Sequence, residues 1–375
     1  MKIKQDSFFS SGLGLAFLAG IGLMVANISP TIVSAYVQNP IFSTRDAGSI
    51  ISINMLGNAL GALIISFYLQ RFNWFRAAIF LLFILIVLDL FSISVTQPFL
   101  LLSVRFIYGM TAGALMGIAY AAIAQTSGPE RIQALSYTMQ LLSGGILIQL
   151  ITPQIESAGV IVVWLPLVVF SVIGLLLSPL LRKKTLAKDS LVATKNQSRA
   201  NNLIIGLGLA SLFAFQMGQF AAFAYVIELG TNHNFNIEFT GTSVAMGLWI
   251  GGPAALFVTW WSLRSGRALP IILASSVQIV SIALLIVPNS AYFLIGNVTW
   301  GIAFNIGISY ILGLISELDN EGRTATLAAF ASTLGLFAGP GLAAILVGEN
   351  NYERVILASL AILLISFALI IIPAM

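Results

Sequence analysis

The sequence predicts an all-α polytopic membrane protein with twelve transmembrane helices, arranged as two parallel repeats of six. Composition, the number of apolar runs and an internal repeat support this prediction. Of 375 residues, 58% are hydrophobic and only 8% are charged, whereas an ordinary soluble domain has about 25% charged residues. The mean hydropathy is +0.99. Such a chain cannot cover a water-facing surface with polar groups, which excludes a soluble enzyme, a disordered chain and a nucleic-acid-binding protein.

The apolar runs are long enough for helices that cross a membrane. A bilayer core about 30 Å thick needs roughly 20 mainly apolar residues per helix. Strands of a membrane barrel would alternate apolar and polar residues, whereas the run 79–88 is continuously apolar. The first run is also too long for the apolar core of a signal peptide. The twelve predicted spans are 11–36, 46–70, 76–96, 99–125, 132–155, 159–181, 203–227, 238–262, 269–287, 291–315, 324–347 and 355–373.

The basic residues predict the orientation of these spans. Cytoplasmic loops of membrane proteins carry an excess of Lys and Arg. With the N-terminus inside, 14 of the 17 basic residues fall on the cytoplasmic side, only Arg45 and Arg354 fall outside, and Arg105 lies within a span. We therefore expect cytoplasmic N- and C-termini and a multi-pass protein of the cytoplasmic (inner) membrane. The 14 are Lys2, Lys4, Arg71, Arg76, Arg131, Arg182, Lys183, Lys184, Lys188, Lys195, Arg199, Arg264, Arg267 and Arg323.

The two halves of the chain repeat each other at an offset of 192 to 194 residues. A unit of six helices enters the membrane in the same direction each time, so the repeat is parallel and places a site between the halves near the midplane. We expect an N-terminal six-helix bundle at 1–181, a basic cytoplasmic linker at 182–202 and a C-terminal bundle at 203–375. The matched positions are Gly12–Ala16 with Gly206–Ala210, Asp46 with Glu238, Arg71 with Arg264, Arg105 with Asn297, and Arg131 with Arg323.

Several loop and helix motifs resemble those of the major facilitator superfamily. The loop after the second span keeps Arg71 of the family pattern but has Gln70 in place of its acid and Asn73 in place of its glycine. The matching loop of the second half also keeps its arginines and glycine without the acid. Arg105 followed by Gly109 resembles the family's fourth-helix motif, whereas the fifth-helix signature of its antiporters is reduced here to Ser143-Gly144-Gly145. The loop residues that carry the resemblance, and that it implies act in conformational change, are Arg71, Arg76, Arg264, Gly266 and Arg267.

Two charges, Asp89 and Arg105, lie deep within predicted spans. A charge there costs about 2.5–3.5 kcal/mol on insertion scales, so it needs a partner or a wet cavity. Counted from the turn at Gln97-Pro98, both residues lie at about the same depth, and we expect an ion pair. The pair could simply neutralise two buried charges and lock the helical hairpin. Alternatively, Arg105 could face the cavity and bind a polar or anionic group of the substrate.

Polar and aromatic residues within other spans complete the candidate site. Asn54 and Asn58 share one face of the second helix, and their amides could either bond to neighbouring helices or line the cavity. The resemblance implies that the first and seventh helices line the cavity, which adds their amide residues. The full set of substrate or coupling candidates is Asp89, Arg105, Asn27, Asn54, Asn58, Tyr108, Gln216, Gln219, Asn297, Trp300 and Asn305.

The resemblance implies a secondary transporter that works by alternating access, and the nearly charge-neutral candidate site favours a small polar neutral or anionic solute. The expected partners are that solute, the lipid bilayer and protons as a candidate coupling ion. We expect a monomer that binds no nucleic acid.

We expect no cofactor, metal or enzymatic activity, because the chain has no cysteine and one histidine, His233. Efflux of drug-like or lipid-like substrates and a non-transporting sensor or assembly factor are the alternatives.

Overall fold

A computed structural model of the protein describes residues 2–69, 71, 73–126, 128–183, 202–261, 266–318, 323–348 and 350–374. Nearly all of these residues are helical, and these ranges contain no β-strand. The α-helices in chain order are α1 (Lys2–Ile21), α2 (Met24–Asn27), α3 (Ser29–Val37), α4 (Thr44–Tyr68), α5 (Trp74–Ser94), α6 (Pro98–Ala124), α7 (Pro129–Ile151), α8 (Ile155–Ala158), α9 (Ile161–Leu177), α10 (Asn202–Asn232), α11 (Ile237–Trp261), α12 (Ala268–Leu284), α13 (Ser290–Glu317), α14 (Arg323–Leu346) and α15 (Tyr352–Ala374).

Nine helices of the described chain are long and apolar enough to cross a membrane. The remaining three predicted spans correspond to the interrupted α1–α3 segment, to α11 and to α12, which has 17 residues. The twelve predicted spans therefore all fall on helical segments, and the all-α fold is confirmed. Large apolar side chains such as Phe67, Phe80 and Phe99 are exposed on the outside of the bundle. That is the arrangement expected of a protein whose surroundings are lipid rather than water.

The prediction of one continuous helix over 11–36 is wrong, because this segment breaks twice. α1 ends at Ile21, and α3 begins only at Ser29, next to Pro30, which has no backbone N–H to donate. Gly22 lies at the first break, where an added Cβ atom would stand 2.7 Å from Met116 Cβ. The Asn58 side chain donates a 2.7 Å hydrogen bond to the Gly22 carbonyl, so α4 satisfies a backbone group at this break.

Two other predicted boundaries differ in ways that matter for the site. The span predicted at 132–155 is helical as α7 only to Ile151 and then tightens into a 3₁₀ turn, Thr152–Gln154, around Pro153. The span predicted at 203–227 is longer, because α10 continues to Asn232. This extension places Glu228 within a helix rather than in a loop.

The internal repeat recurs in the packing of equivalent helices. A Cβ atom added to Gly109 of α6 would stand 2.0 Å from the Asn54 carbonyl oxygen of α4. In the second half, a Cβ added to Gly301 of α13 would stand 2.1 Å from the Gly247 carbonyl oxygen of α11. Both pairs of helices therefore touch backbone to backbone, which only glycine permits. These glycines therefore serve the close packing of the helices in both halves.

The first half of the chain (1–181) and the second half (203–375) meet mainly along three helix pairs, α3 with α10, α4 with α14, and α7 with α11. At least four hydrogen bonds join the halves in the described chain. They lie near the middle of the bundle or towards the end that carries residues 38–43, which we call the outer end. The four are Thr44 to Asn350 at 2.6 Å, Tyr225 to the Thr44 carbonyl at 2.8 Å, Ser52 to the Phe337 carbonyl at 2.9 Å, and Trp249 to the Leu142 carbonyl at 3.3 Å.

Candidate functional site

Asp89 and Arg105 form the predicted ion pair inside the first half. Arg105 Nη1 donates to Asp89 Oδ1 at 3.0 Å, and both side chains are completely buried. Arg105 Nη2 also donates to the Leu88 carbonyl at 3.0 Å and to the Ser92 hydroxyl. α5 thus supplies three acceptors to one guanidinium of α6. This arrangement joins the two helices of the hairpin and compensates both charges, as an intramembrane ion pair requires.

Aromatic rings pack against the guanidinium of Arg105. Its central carbon lies 4.5 Å from the ring centroid of Tyr108 and 3.9 Å from that of Trp164 on α9. Trp164 in turn donates its indole N–H to the Tyr36 hydroxyl of α3 at 2.9 Å. These contacts add cation–π attraction to the ion pair. They leave Arg105 with no exposed surface, so in this conformation the arginine faces no cavity.

The amides of Asn54 and Asn58 bond to neighbouring helices. Asn54 donates to the Arg105 carbonyl of α6 at 3.1 Å, and Asn58 donates to the Gly22 carbonyl at the break of the first span. Both side chains are at most 1% exposed. Of the two roles considered for these residues, the structure shows interhelical bonding. Asn58 Oδ1 has no hydrogen-bond partner among the described residues.

Gln219 of α10 is the centre of an amide cluster in the second half. Its side-chain oxygen accepts a 2.6 Å hydrogen bond from Gln278 of α12 and a second bond from the Trp300 indole of α13. Nearby on α10, Gln216 donates to the Ser332 hydroxyl at 2.7 Å, and its own oxygen has no partner within the described chain. The cluster thus combines three helices and carries no charge.

Aromatic rings follow the same faces of α10 and α13. Phe223 packs edge-on against Trp300 at 6.0 Å between ring centroids, and Phe215 stacks on Phe304 at 5.7 Å. Phe220 contacts the ring of Phe304 at 6.4 Å. Amides interleaved with aromatic rings can hold the apolar face of a small solute while bonding to its polar edge.

Asn297 and Asn305, although on the same helix as Trp300, do not join the amide cluster. Asn297 donates to the Phe293 carbonyl at 2.9 Å and Asn305 donates to the Gly301 carbonyl at 2.7 Å, each one turn back in α13. Asn305 contributes instead to the contact with α11, where its nitrogen would lie 2.5 Å from a Cβ added to Gly251. Both asparagines are buried.

Asn27 lies where the two halves meet. A Cβ atom added to Gly144 of α7 would stand 3.0 Å from Asn27 Cβ and 3.5 Å from a methyl carbon of Leu248 in the second half. Next to it, a Cβ added to Gly145 would stand 2.4 Å from the Trp249 indole nitrogen. The Ser143-Gly144-Gly145 segment is therefore a close crossing of α7 and α11. The Asn27 amide nitrogen has no partner in the part of the chain that the structure describes.

The structure describes four of the five loop residues that the sequence analysis links to conformational change. Arg71 and Arg76 are exposed, and Arg71 lies 5.4 Å from the ring centroid of Tyr68. Gly266 has a φ of +70°, which favours glycine at this turn. Arg267 Nε donates to Glu317 Oε2 at 2.7 Å and so joins the ends of α12 and α13. The prediction for Arg264 lies outside the described residues.

Sequence reasoning overlooked several residues of these clusters. No sequence pattern distinguishes four of them from the other polar or aromatic residues of the spans: Trp164, Ser92, Gln278 and Ser332. Glu228 does give one, because it is a carboxylate close to an apolar run, yet its position near a predicted helix end suggested a place at the membrane interface. In the structure, Glu228 is only 6% exposed.

Comparisons with known proteins agree with this architecture. The sequence profile of the Major Facilitator Superfamily matches residues 12–333. No curated protein matches the sequence. A mutant form of the nucleoside transporter NupG has a similar structure, with a TM-score of 0.75 at 12% identity over 96% of this chain and 99% of that one.

Two further solved structures are similar to nearly the same extent. A second structure of NupG gives a TM-score of 0.71 at 13% identity over 96% of this chain and 98% of that one. A bacterial homologue of the human lysosomal transporter Spinster, in an inward-facing and unoccupied conformation, gives 0.70 at 13% identity over 97% of this chain and 96% of that one. At these identities the likeness concerns the fold.

Proposed function

The chain belongs to the Major Facilitator Superfamily, a family of multi-pass membrane transporters, and we propose that it moves a small uncharged polar solute by alternating access. The observation that carries this proposal is the uncharged amide and aromatic cluster around Gln219. The two deep charges of the first half are compensated by each other, and Arg105 is enclosed. A neutral solute therefore fits this site better than an anion, which would need a free cation.

The proposal includes an orientation in the membrane. We propose that both termini and the basic linker at 182–202 are cytoplasmic in the inner membrane, as the distribution of Lys and Arg indicates. The bundles 1–181 and 203–375 would then rock against each other. The hydrogen bonds between the halves lie near the middle of the bundle or towards the outer end, which is the contact expected when the site opens to the cytoplasm.

The test is stabilisation of the purified protein by candidate solutes. We expect the midpoint of thermal unfolding to rise with one class of neutral polar solute and to remain constant with organic cations. The panel should contain neutral sugars, amino acids, organic anions, organic cations and nucleosides, the last because the structurally similar NupG is a nucleoside transporter. Stabilisation follows mass action, so it should grow with solute concentration above the Kd.

Two variants test whether the stabilising solute binds at the amide cluster around Gln219. Gln219→Leu removes the central acceptor of the cluster and should abolish the stabilisation by the solute, whereas Gln154→Leu, on the exposed 3₁₀ turn after α7, should retain it. Uptake of the same solute into proteoliposomes then distinguishes transport from binding. Stabilisation and uptake confined to organic cations would contradict the proposed solute class.

A further inference from the structure

Glu228 lies between the two halves at their closed outer end. It belongs to the last turns of α10, and its carboxyl group interacts with the hydroxyls of Ser34 on α3 and Tyr352 on α15. Ser34 belongs to the first half and is completely buried. The carboxyl group is therefore enclosed by residues that separate whenever the outer end opens. Glu228 Oε1 has no hydrogen-bond partner in the described chain.

No cation compensates this carboxyl group. Within the described residues no Lys, Arg or His side chain acts on it electrostatically from any helix packed against α10, including α11, α13 and α14. The hydroxyls of Tyr225 and Tyr352 are its titratable neighbours on α10 and α15. This setting differs from that of Asp89, whose charge is met by an arginine.

Arg45 of α4 and Arg354 of α15 also lie at this end, but neither acts electrostatically on the Glu228 carboxyl group. The remaining titratable groups at this end are acidic or uncharged. From α4, Asp46 acts on Tyr225 but is held in a capping box by Ser43. From α8, Glu156 shares a cavity with Glu228. After α10, burial lowers the pKa of the His233 imidazole below its usual value, and Glu353 opposes this only in part.

A cavity of about 760 Å³ at the outer end has Glu228 among the residues of its wall. Its walls include exposed side chains, so water and protons have access to it. The residues that line it are Gln38, Glu156, Glu228, Thr231, Asn234, Phe235, Asn236 and Ile237.

We propose that Glu228 is a proton-binding site whose occupancy controls the contact between the two halves at the outer end. A bare carboxylate is strongly disfavoured in an enclosed site without a cation, whereas a neutral carboxylic acid is tolerated there. Protonated Glu228 therefore favours the closed outer end. Ionised Glu228 favours the open state, in which water can solvate the charge.

The proposal rests on the proposed alternating access and adds to it a proton that controls the contact between the halves at the outer end. Closing the outer end requires Glu228 to take one proton from the outer cavity, and opening it again favours release of that proton to the same side. A low external pH thus shifts the population towards the closed state, and a high pH shifts it towards the open state. Both population shifts depend on the ionisation of the Glu228 carboxyl group, so a variant without this carboxyl group should show neither.

The absence of cysteine makes the test direct, since any introduced thiol is the single one in the chain. Ser52 is 2% exposed and bonds across the halves, so Ser52→Cys reports the opening of the outer end. Ser290, exposed at the start of α13, provides Ser290→Cys as a thiol that remains accessible in both states. The readout is labelling in proteoliposomes by a membrane-impermeant maleimide, expressed as the ratio of the two rates. The comparison of this ratio with and without Glu228→Gln, in the same cysteine variants, removes the contribution of thiol ionisation.

We expect this ratio to rise about fivefold between pH 5.5 and pH 8, which corresponds to a modest shift in the closed-to-open equilibrium. Glu228→Gln should hold the ratio at its low-pH value throughout. Glu156→Gln, which removes the other carboxylate of the cavity, should leave the rise intact. A rise that survives Glu228→Gln, or that is lost equally in Glu156→Gln, would overturn the proposal.

A second variant covers the case in which Glu228→Gln fails to fold. Tyr352→Phe removes one hydroxyl beside the carboxyl group and should shift the pH of half-maximal labelling, and an unchanged midpoint contradicts the proposal. The labelling needs no solute. A solute that stabilises the protein while Ser52→Cys labels independently of pH would overturn the role of Glu228 and leave the proposed transport function standing.

Discussion

The two halves place different chemistry at equivalent positions of the same helical frame. In the first half, Asp89 of α5 and Arg105 of α6 form an enclosed ion pair. In the second half, the positions 192 residues later are Ser281 of α12 and Asn297 of α13. Ser281 shares a 2.6 Å hydrogen bond with Thr299, and Asn297 bonds within its own helix.

This difference shows which features the fold needs and which it only permits. The glycine contacts of α4 with α6 and of α11 with α13 occur in both halves, because close helix approach depends on backbone shape alone. The ion pair occurs in one half, and the equivalent place in the other is filled by neutral polar groups. The helix packing therefore does not require a charge at this position. Where one charge is buried, however, the stability of the protein depends on an opposite charge beside it.

The largest effect is expected from leaving one buried charge without its partner. Arg105→Leu exposes Asp89 to an apolar setting and should destabilise the protein by about 3–5 kcal/mol, the usual cost of breaking a buried pair. Asn297→Leu at the equivalent position should cost only about 0.6 kcal/mol, a typical hydrogen bond in a membrane protein. Reversible unfolding in mixed micelles measures both, and equal losses would contradict the comparison.

Replacing both charges should recover most of that loss. Asp89→Leu combined with Arg105→Leu removes the desolvation cost together with the attraction, so the double variant should be about 2 kcal/mol or more above Arg105→Leu. Unfolding free energies of the single and double variants give the coupling energy. If solute transport persists in the double variant, the ion pair only stabilises the helical hairpin. If a stable double variant has lost transport, the ion pair has a role in the transport cycle.

The helix contact common to both halves predicts equal effects. Gly109→Ala and Gly301→Ala each place a Cβ atom against a carbonyl oxygen at 2.0–2.1 Å and should cost about 1–3 kcal/mol as the helices move apart. Gly206→Ala is the matched control, because no atom lies within 4 Å of the added carbon. Thermal unfolding of the three variants checks the prediction, which fails if Gly109→Ala and Gly301→Ala differ by more than they each differ from the control.

A final comparison concerns the serines beside the two equivalent sites. Ser92→Ala removes an acceptor from the Arg105 guanidinium and should cost about 1.5–3 kcal/mol, as for hydrogen bonds to charged groups. Ser281→Ala removes a neutral bond to Thr299, which still donates to the Ile295 carbonyl, and should cost about 0.5–1.5 kcal/mol. A larger loss in Ser281→Ala would contradict the view that charge makes the first half more demanding.

Some parts of the candidate site could be predicted from sequence and others could not. The ion pair followed from helix geometry, because Asp89 and Arg105 lie at nearly equal distances from one turn. The break in the first span could not be predicted with the same certainty, because it depends on how Gly22 approaches α6 and on the bond from Asn58. The amide cluster required Gln278 to reach Gln219 from 59 positions away.

The sequence by itself determined the helical class, the number of spans and the repeat of the two halves. The helical class and the number of spans follow because a bilayer requires long apolar helices. The repeat follows because glycines and basic loops occur at equivalent positions in both halves. Only the tertiary structure decided that aromatic rings seal Arg105 away from any cavity and that Glu228 is buried without a cation. Burial and charge compensation depend on side chains from distant helices, and no local pattern encodes which of them meet.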